Sequence, residues 1–314
     1  MTATVAIAAA IVALCAGPAA AAGTPPSTGP ASPTGTVFAK LTLTVPDAFL
    51  VNRQLVTVPG RTVHVHGVVR PYVPGQWVLV QASVNGKVFK TDHVQIRPAP
   101  GGHNGQFTAS ISSRKAGRVT VQVGHTRNAA LGGLLAHRTF TALAPNASFG
   151  STGPFVQLIQ QRLAALHFYI PQTGVYDSGT GLAIDAYHRL LHWGTYQTLD
   201  GRTISYLLDG FGQFKVRFPQ NGRHAEGNLS LQLLALADGS KVVAIYPISS
   251  GKPSTPTILG NFRVYSKVPG YLPDGMYFSN FFIRGYAIHG FNPAPDFPAS
   301  HGCMRVPIPD AISI

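Results

Sequence analysis

Ser300-His301-Gly302-Cys303-Met304-Arg305 sets a thiol next to an imidazole near the end of the chain, and a second imidazole, His289, lies upstream. A thiol with an ordinary pKa of about 8.5 is mostly protonated at neutral pH, so an imidazole that takes its proton turns it into a nucleophile. Cys303 is one of 2 cysteines. The other, Cys15, sits in an apolar leader read below as removed, which leaves the mature chain with a single thiol. An unpaired cysteine in an exported chain has no disulfide to form and points to reactivity rather than structure. Gly302 lets the backbone approach a ligand without a side-chain clash.

The elements that hold these residues read as mostly β from 213 to 314. Leu229 to Leu236 leads into the turn Asp238-Gly239, and Val242 to Tyr246 returns. Ser250 to Thr257 follows, then Gly260 to Val264. Phe281-Phe282-Ile283 and Tyr286-Ala287-Ile288 flank Arg284-Gly285, the signature of a tight hairpin. Its second strand ends at His289-Gly290, which fixes the imidazole at a strand end with a loop to follow. The chain stops shortly after Arg305, and a closing strand or helix is expected to be missing there.

Further upstream the pattern changes twice. Residues 1–22 carry the run Ala6 to Leu14 followed by Ala19 to Ala22, the form of a cleaved secretory leader, although no Lys or Arg precedes it. The apolar part is too short to span a membrane, so no transmembrane anchor is expected. Residues 23–39, rich in Pro, Ser, Thr and Gly, read as a flexible tether. Residues 40–145 show about seven short alternating runs, with Asn85-Gly86 between two of them as a two-residue hairpin signal, and predict an immunoglobulin-like β-sandwich. His64, His66 and His93 in these runs have no acidic companion and read as strand-surface histidines, so no metal site is expected.

Residues 146–210 switch to helical spacing. Val156, Ile159, Leu163 and Leu166 follow Gly153-Pro154, a second helix with Leu182, Ala186, Leu190 and Leu191 follows Asp177, and a third opens near Thr203. The net charge of +13 is uneven. Residues 36–145 hold 12 Lys/Arg against 2 Asp/Glu, residues 146–212 hold 3 against 4, and residues 213–314 hold 9 against 5. The basic first region suits an anionic polymer such as teichoic or polyphosphate material, or simple solubility. Its basic residues are scattered and no nucleic-acid motif accompanies them, so nucleic acid is not an expected partner.

Gly153-Pro154, Val156, Gln160 and Leu163, then Thr173 to Asp177, resemble the three-helix peptidoglycan-binding-like domain over about sixty residues. That resemblance implies contact with glycan or stem peptide, or a spacer that packs on its neighbour. Thr255-Pro256-Thr257 with Gly260 and Phe262, then Ile288-His289-Gly290, then Ser300 to Arg305 are similar, in kind and order, to the L,D-transpeptidase (YkuD) catalytic domain over roughly the last hundred residues. The gap between His289 and Ser300 is shorter than in many members, and Arg305 stands where some carry Asn. The fold implied is multidomain: an Ig-like sandwich, a small three-helix domain, then a mostly-β catalytic domain.

The resemblance implies that Cys303 is the nucleophile, His289 its base and the Gly290 carbonyl the group that fixes the imidazole tautomer. It implies that His301 and Gly302, with Cys303, turn backbone N–H groups toward an acyl oxygen. Ser300 would order the loop, Arg305 would hold a substrate carboxylate or the loop, and Tyr277 is a weaker candidate for a lid. No cofactor is implied. The activity implied is exported peptidoglycan cross-linking between a donor and an acceptor stem peptide, through a thioester and with loss of D-alanine. Water as acceptor would make the same site an L,D-carboxypeptidase. A cysteine amidase of the NlpC/P60 kind is disfavoured because its Cys normally precedes its His, and a non-catalytic wall-binding protein is the remaining rival.

Overall fold

The computed structural model describes residues 40–125 and 132–314. The leader and tether read at 1–22 and 23–39, with Cys15, lie outside the described residues.

The first region is two facing sheets. Its strands are β1 (Lys40–Thr44), β2 (Phe49–Val51), β3 (Gln54–Thr57), β4 (Val63–Arg70), β5 (Trp77–Val84), β6 (Lys87–Gln95), β7 (Arg97–Pro98), β8 (Gly105–Ile111), β9 (Gly117–His125) and β10 (Leu134–Ala142). One sheet runs β1-β4-β8-β7 and the other β2-β3-β10-β9-β5-β6. Alternate residues point inward, as in β8, where Phe107, Ala109 and Ile111 are buried and their neighbours exposed. The strands beyond the seven expected are β2, β3 and β7, of 3, 4 and 2 residues, too short for alternation to show. Asn85 and Gly86 both take positive φ, 49° and 81°, and close the β5–β6 hairpin. One expectation is corrected: His64 does have an acidic companion. The fold brings Asp47 onto its Nδ1, a pairing that sequence distance concealed.

The helices are α1 (Pro154–Ala165), α2 (Ser178–Leu190) and α3 (Gly201–Asp209). Asp177 caps α2 by accepting from Thr180 N at 2.8 Å, and Asp200 caps α3 by accepting from Thr203 N at 2.6 Å. The third helix therefore opens at Gly201, slightly ahead of Thr203. Gln160, wholly buried on α1, donates to Val175 O at 2.9 Å and accepts from Gly174 N at 2.7 Å, which ties α1 to the turn before α2.

The helices do not close a core by themselves. Leu158, Ile159, Leu163, Ile184 and Leu207 share one cluster with Val51 and Val56 on one side and with Leu233, Ala235 and Ile245 on the other. The last two groups belong to different sheets, so the helical segment is wedged between the sandwich and the C-terminal region.

That region begins with the antiparallel sheet β11 (Arg223–Asn228), β12 (Leu233–Asp238) and β13 (Lys241–Pro247). Leu233 and Ala235 face the helices, whereas Leu234 faces a second cluster with Tyr246, Ile288, Met304 and Val306. β12 is therefore covered on both faces, which is why its sequence is continuously apolar rather than alternating. Leu229 to Gln232, read with it as one run, is instead the turn joining β11 to β12, with Gln232 at φ 51°.

Across the second cluster lies the sheet β14 (Ser266–Tyr271), β15 (Tyr277–Ile283), β16 (Tyr286–Gly290) and β17 (Met304–Val306). β17 pairs parallel to β16, with His289 opposite Arg305. Gly260 to Val264 is irregular rather than strand. A short helix α4 (Ile308–Ala311) packs under β16, where a Cβ on Gly290 would lie 2.9 Å from Ala311 Cβ and 3.3 Å from Ile308 Cα. No described helix is long and apolar enough to cross a membrane.

Candidate active site

β16 and β17 separate two sets of side chains by strand parity. Ile288, Met304 and Val306 enter the core. His289 and Arg305 face the other way, and extending the register by one residue sets Cys303 opposite Ala287 on that same side. Cys303, His289, Arg305, Ser300 and His301 line one cleft of about 380 Å³, closed by Asp274, Met276, Gly285, Tyr286 and Phe291. The hairpin turn at Arg284-Gly285, with Arg284 at φ 50°, returns the chain as β16 antiparallel to β15, and β17 pairs along the other side of β16.

His289 is 2% exposed, and its Nδ1 lies 2.9 Å from Gly290 O. A carbonyl oxygen can only accept, so Nδ1 carries the proton and Nε2 keeps its lone pair. The ring also meets Phe291 edge-on at 5.8 Å between centroids. Burial pushes the His289 pKa below the ordinary histidine value, and the nearby Arg305 charge adds to that, against the Gly290 bond and Asp274. Burial likewise pushes the Cys303 thiol up, opposed by the Ala287 N–H and Arg305 and supported by Asp274. Both shifts favour the uncharged forms, the protonated thiol and the neutral imidazole.

The sulfur accepts from Ala287 N at 3.4 Å and lies 3.8 Å from Gly285 O. It makes no hydrogen bond to His289 among the described residues; the main chain of the β15–β16 hairpin holds it instead.

Ser300 is 1% exposed and clamps the loop from inside. Its Oγ donates to Cys303 O at 2.6 Å and accepts from Gly302 N at 3.0 Å. This corrects the expectation for Gly302, whose N–H is occupied by Ser300 and is not turned to the cleft. The N–H groups of His301 and Cys303 have no partner among the described residues. Gly302 sits at φ 116° with the Tyr286 ring so close that a Cβ would fall 1.8 Å from Tyr286 Cε1. Only glycine fits both the angle and the space.

Behind the loop, Ser250 O accepts from Ala299 N and Ser300 N, both at 2.9 Å. Thr255 Oγ1 donates to Ser300 O at 3.1 Å, and Thr257 Oγ1 accepts from Gly251 N at 2.9 Å. The Thr255-Pro256-Thr257 motif thus braces the Cys303 loop rather than facing the cleft. Gly251 is needed here, since a Cβ on it would lie 2.3 Å from Thr255 O.

Arg305 lays its guanidinium over the Phe291 ring at 4.1 Å and lines the cleft. His301 is exposed, with Lys252 Nζ 3.4 Å from its Nε2. Tyr277 stands apart from the cleft. It heads β15, pairs with Gly290, and packs its ring on Tyr271 at 4.4 Å. Sequence reasoning missed Tyr286 and Asp274. The first was visible only as a strand residue and the second only as part of the turn Pro273-Asp274-Gly275. No group of three or more His, Cys, Asp or Glu side chains arranged for a metal ion occurs among the described residues.

Comparison with known proteins agrees with this placement. Residues 222–314 match the family model described as the L,D-transpeptidase catalytic domain, YkuD. An L,D-transpeptidase from Xylanimonas cellulosilytica is 30% identical over 52% of this chain and 88% of its own, with a TM-score of 0.49. One from Mycobacterium smegmatis is 12% identical over 82% of this chain and 87% of its own, with a TM-score of 0.26. One from Enterococcus faecium is 18% identical over 54% and 84%, with a TM-score of 0.25. No curated protein matches the chain. With TM-scores this low the superpositions carry no weight, and the assignment of residues 222–314 rests on the family model. Residues 222–314 are an L,D-transpeptidase (YkuD) catalytic domain.

Proposed function

We propose that this protein is an exported, cysteine-dependent peptidoglycan L,D-transpeptidase that forms 3→3 cross-links. The observation that carries the reading is the cleft face of β16 and β17, where Cys303, Arg305 and a His289 with a free Nε2 converge.

In this mechanism the Cys303 side chain leaves Ala287 N–H and gives its proton to His289 Nε2 as the sulfur bonds to the acyl carbon of the donor stem. The N–H groups of Cys303 and His301 hold the developing oxyanion, an effect typically worth about 3 kcal/mol per donor. Collapse breaks the bond to the terminal D-alanine, whose nitrogen takes the proton back from His289. The side-chain amine of an acceptor stem then attacks the thioester and passes its proton to His289. The released thiolate recovers that proton, and the amide cross-link is complete.

The charges at the rim suit a zwitterionic peptide. Arg305 meets the leaving residue's carboxylate, and Asp274 meets an incoming ammonium before it loses its proton. The Gly290 carbonyl takes the orienting role that a carboxylate fills in other triads. No step calls for a cofactor. Export rests on the leader at residues 1–22, and the basic region 40–145, read as Ig-like, would keep the enzyme near anionic wall polymer. The helices in 146–210 are read as a peptidoglycan-binding-like module.

Incubation with a purified tetrapeptide stem tests this reading, with free D-alanine and dimer scored separately. D-Alanine with dimer, both lost in Cys303→Ala, is expected. D-Alanine without dimer would reassign the protein as an L,D-carboxypeptidase. Neither product from a folded protein would leave the wall-binding reading.

A further inference from the structure

We propose that Arg189, on α2, positions the Cys303 loop through Gln232, Ser250 and Ser300, so that the helical segment is part of what sets the thiol's reactivity. The inference rests on the reading of Cys303 given above.

Arg189 and Asp185 are buried at 6% and 1% exposure, with Arg189 Nε 2.9 Å from Asp185 Oδ2. The pair is poorly built for stability alone. Arg189 Nη2 and Asp185 Oδ1 have no hydrogen-bond partner among the described residues. Buried ion pairs of this kind are often replaced by apolar residues at no loss of stability. Burial holds the Asp185 carboxyl up to about 6 and pushes the guanidinium down, so desolvation outweighs their attraction, with Asp296 also contributing charge.

What the guanidinium does hold is the main chain of the catalytic domain. Nη1 donates to Gln232 O at 2.7 Å and to Leu231 O at 3.3 Å. These carbonyls belong to the β11–β12 turn, where Gln232 occupies φ 51°, a conformation a non-glycine residue keeps only when its surroundings enforce it.

From that turn the Gln232 amide reads both ends of Ser250. Oε1 accepts from Ser250 N at 2.8 Å, and Nε2 donates to Ser250 Oγ at 2.8 Å. Ser250 O receives Ala299 N and Ser300 N, and Ser300 Oγ grips Cys303 O and Gly302 N. An unbroken run of short hydrogen bonds therefore leads from α2 to the backbone of the thiol-bearing residue. A misplacement of about 1 Å at a reacting group costs on the order of 10²-fold in rate.

The test is a double-mutant cycle read by the time course of Cys303 acylation with a carbapenem. Arg189→Lys keeps a charge beside Asp185 but loses the fork to the two carbonyls. Gln232→Met leaves those carbonyls in place and removes the link to Ser250. Each is expected to lower the maximal acylation rate about tenfold or more, with the half-saturating carbapenem concentration unchanged. The double variant should lose little beyond the worse single one. Leu158→Val, a core change away from the relay, lowers the melting temperature and leaves the rate of the folded enzyme at parent level.

Parent rates in folded Arg189→Lys and Gln232→Met, or losses that simply multiply, overturn the proposal. If Arg189→Lys does not fold, Gln232→Met decides alone, because it preserves the ion pair. Failure of the parent itself to acylate would strike the functional reading, a distinguishable outcome.

Discussion

Gly302→Ala separates two physical demands on the thiol loop. At φ 116° a side chain costs about 1–3 kcal/mol in backbone strain. The added Cβ would also lie 1.8 Å from Tyr286 Cε1 and 2.5 Å from Cδ1, where carbon atoms ordinarily approach to about 3.5–4.0 Å. The ring or the loop must move by more than about 1 Å, and a shift of that size at a reacting group costs on the order of 10²-fold. Strain and displacement together put Gly302→Ala at about 10²–10³-fold slower acylation, or about 3–4 kcal/mol in barrier.

Adding Tyr286→Ala removes the clash and its displacement and leaves the strain, so the double variant should regain about 10²-fold and stay below the Tyr286→Ala reference. The assay is mass-resolved acylation of Cys303 by a carbapenem, with Tyr286→Ala alone as reference and thermal melts to confirm folding. Gly302→Ala within twofold of parent, or no recovery on adding Tyr286→Ala, would refute the reasoning.

Other outcomes follow from the same geometry. Ser300→Ala should slow acylation by about 10–100-fold, since it leaves Gly302 N–H and Cys303 O without their partner at about 1–3 kcal/mol; a parent-like rate would show that the loop holds without the clamp. The acid limb of the pH–acylation profile should lie below the ordinary histidine pKa of about 6.5, because burial favours neutral His289. Arg305→Gln should move that limb up and Asp274→Asn should move it down, because the two charges act on His289 in opposite senses. Glu226 accepts from Arg217 N at 3.0 Å, Phe218 N at 2.6 Å and His224 Nε2 at 3.0 Å. Burial opposes its ionisation, but these bonds outweigh it and depress the carboxyl. The unfolded chain therefore takes the proton first as pH falls. Glu226's contribution is complete above the ordinary carboxylate value and lost as pH drops through its lowered one. Urea titration of Glu226→Ala near neutral pH should show a loss of about 2–4 kcal/mol that shrinks in acid.

How much of this was legible in the sequence depended on range. Asn85-Gly86, Arg284-Gly285 and the helix period at Val156, Ile159 and Leu163 are local signals, and the chain folds as they say. The thiol loop and the strand-end imidazole were readable as motifs, because residue type and order carry them. What lay between them was not. Asp47 reaches His64, and Tyr286 packs on Gly302, only through strand pairing. The continuous apolar run at Leu233 to Leu236 concealed a strand covered on both faces, and with it the shared core that joins helices to the catalytic sheet. In the sequence Gln232 reads as one residue of the run from Leu229 to Leu236. Its part in holding Ser250 becomes visible only when the turn, the strand end and the loop meet.

Intact-protein mass spectrometry after carbapenem exposure, followed by peptide mapping, probes the proposed chemistry most directly. One covalent adduct on Cys303 is predicted for the parent, none for Cys303→Ala, and slow formation for His289→Ala. An adduct that persists in Cys303→Ala, or a natively melting parent that takes up none, would contradict the account.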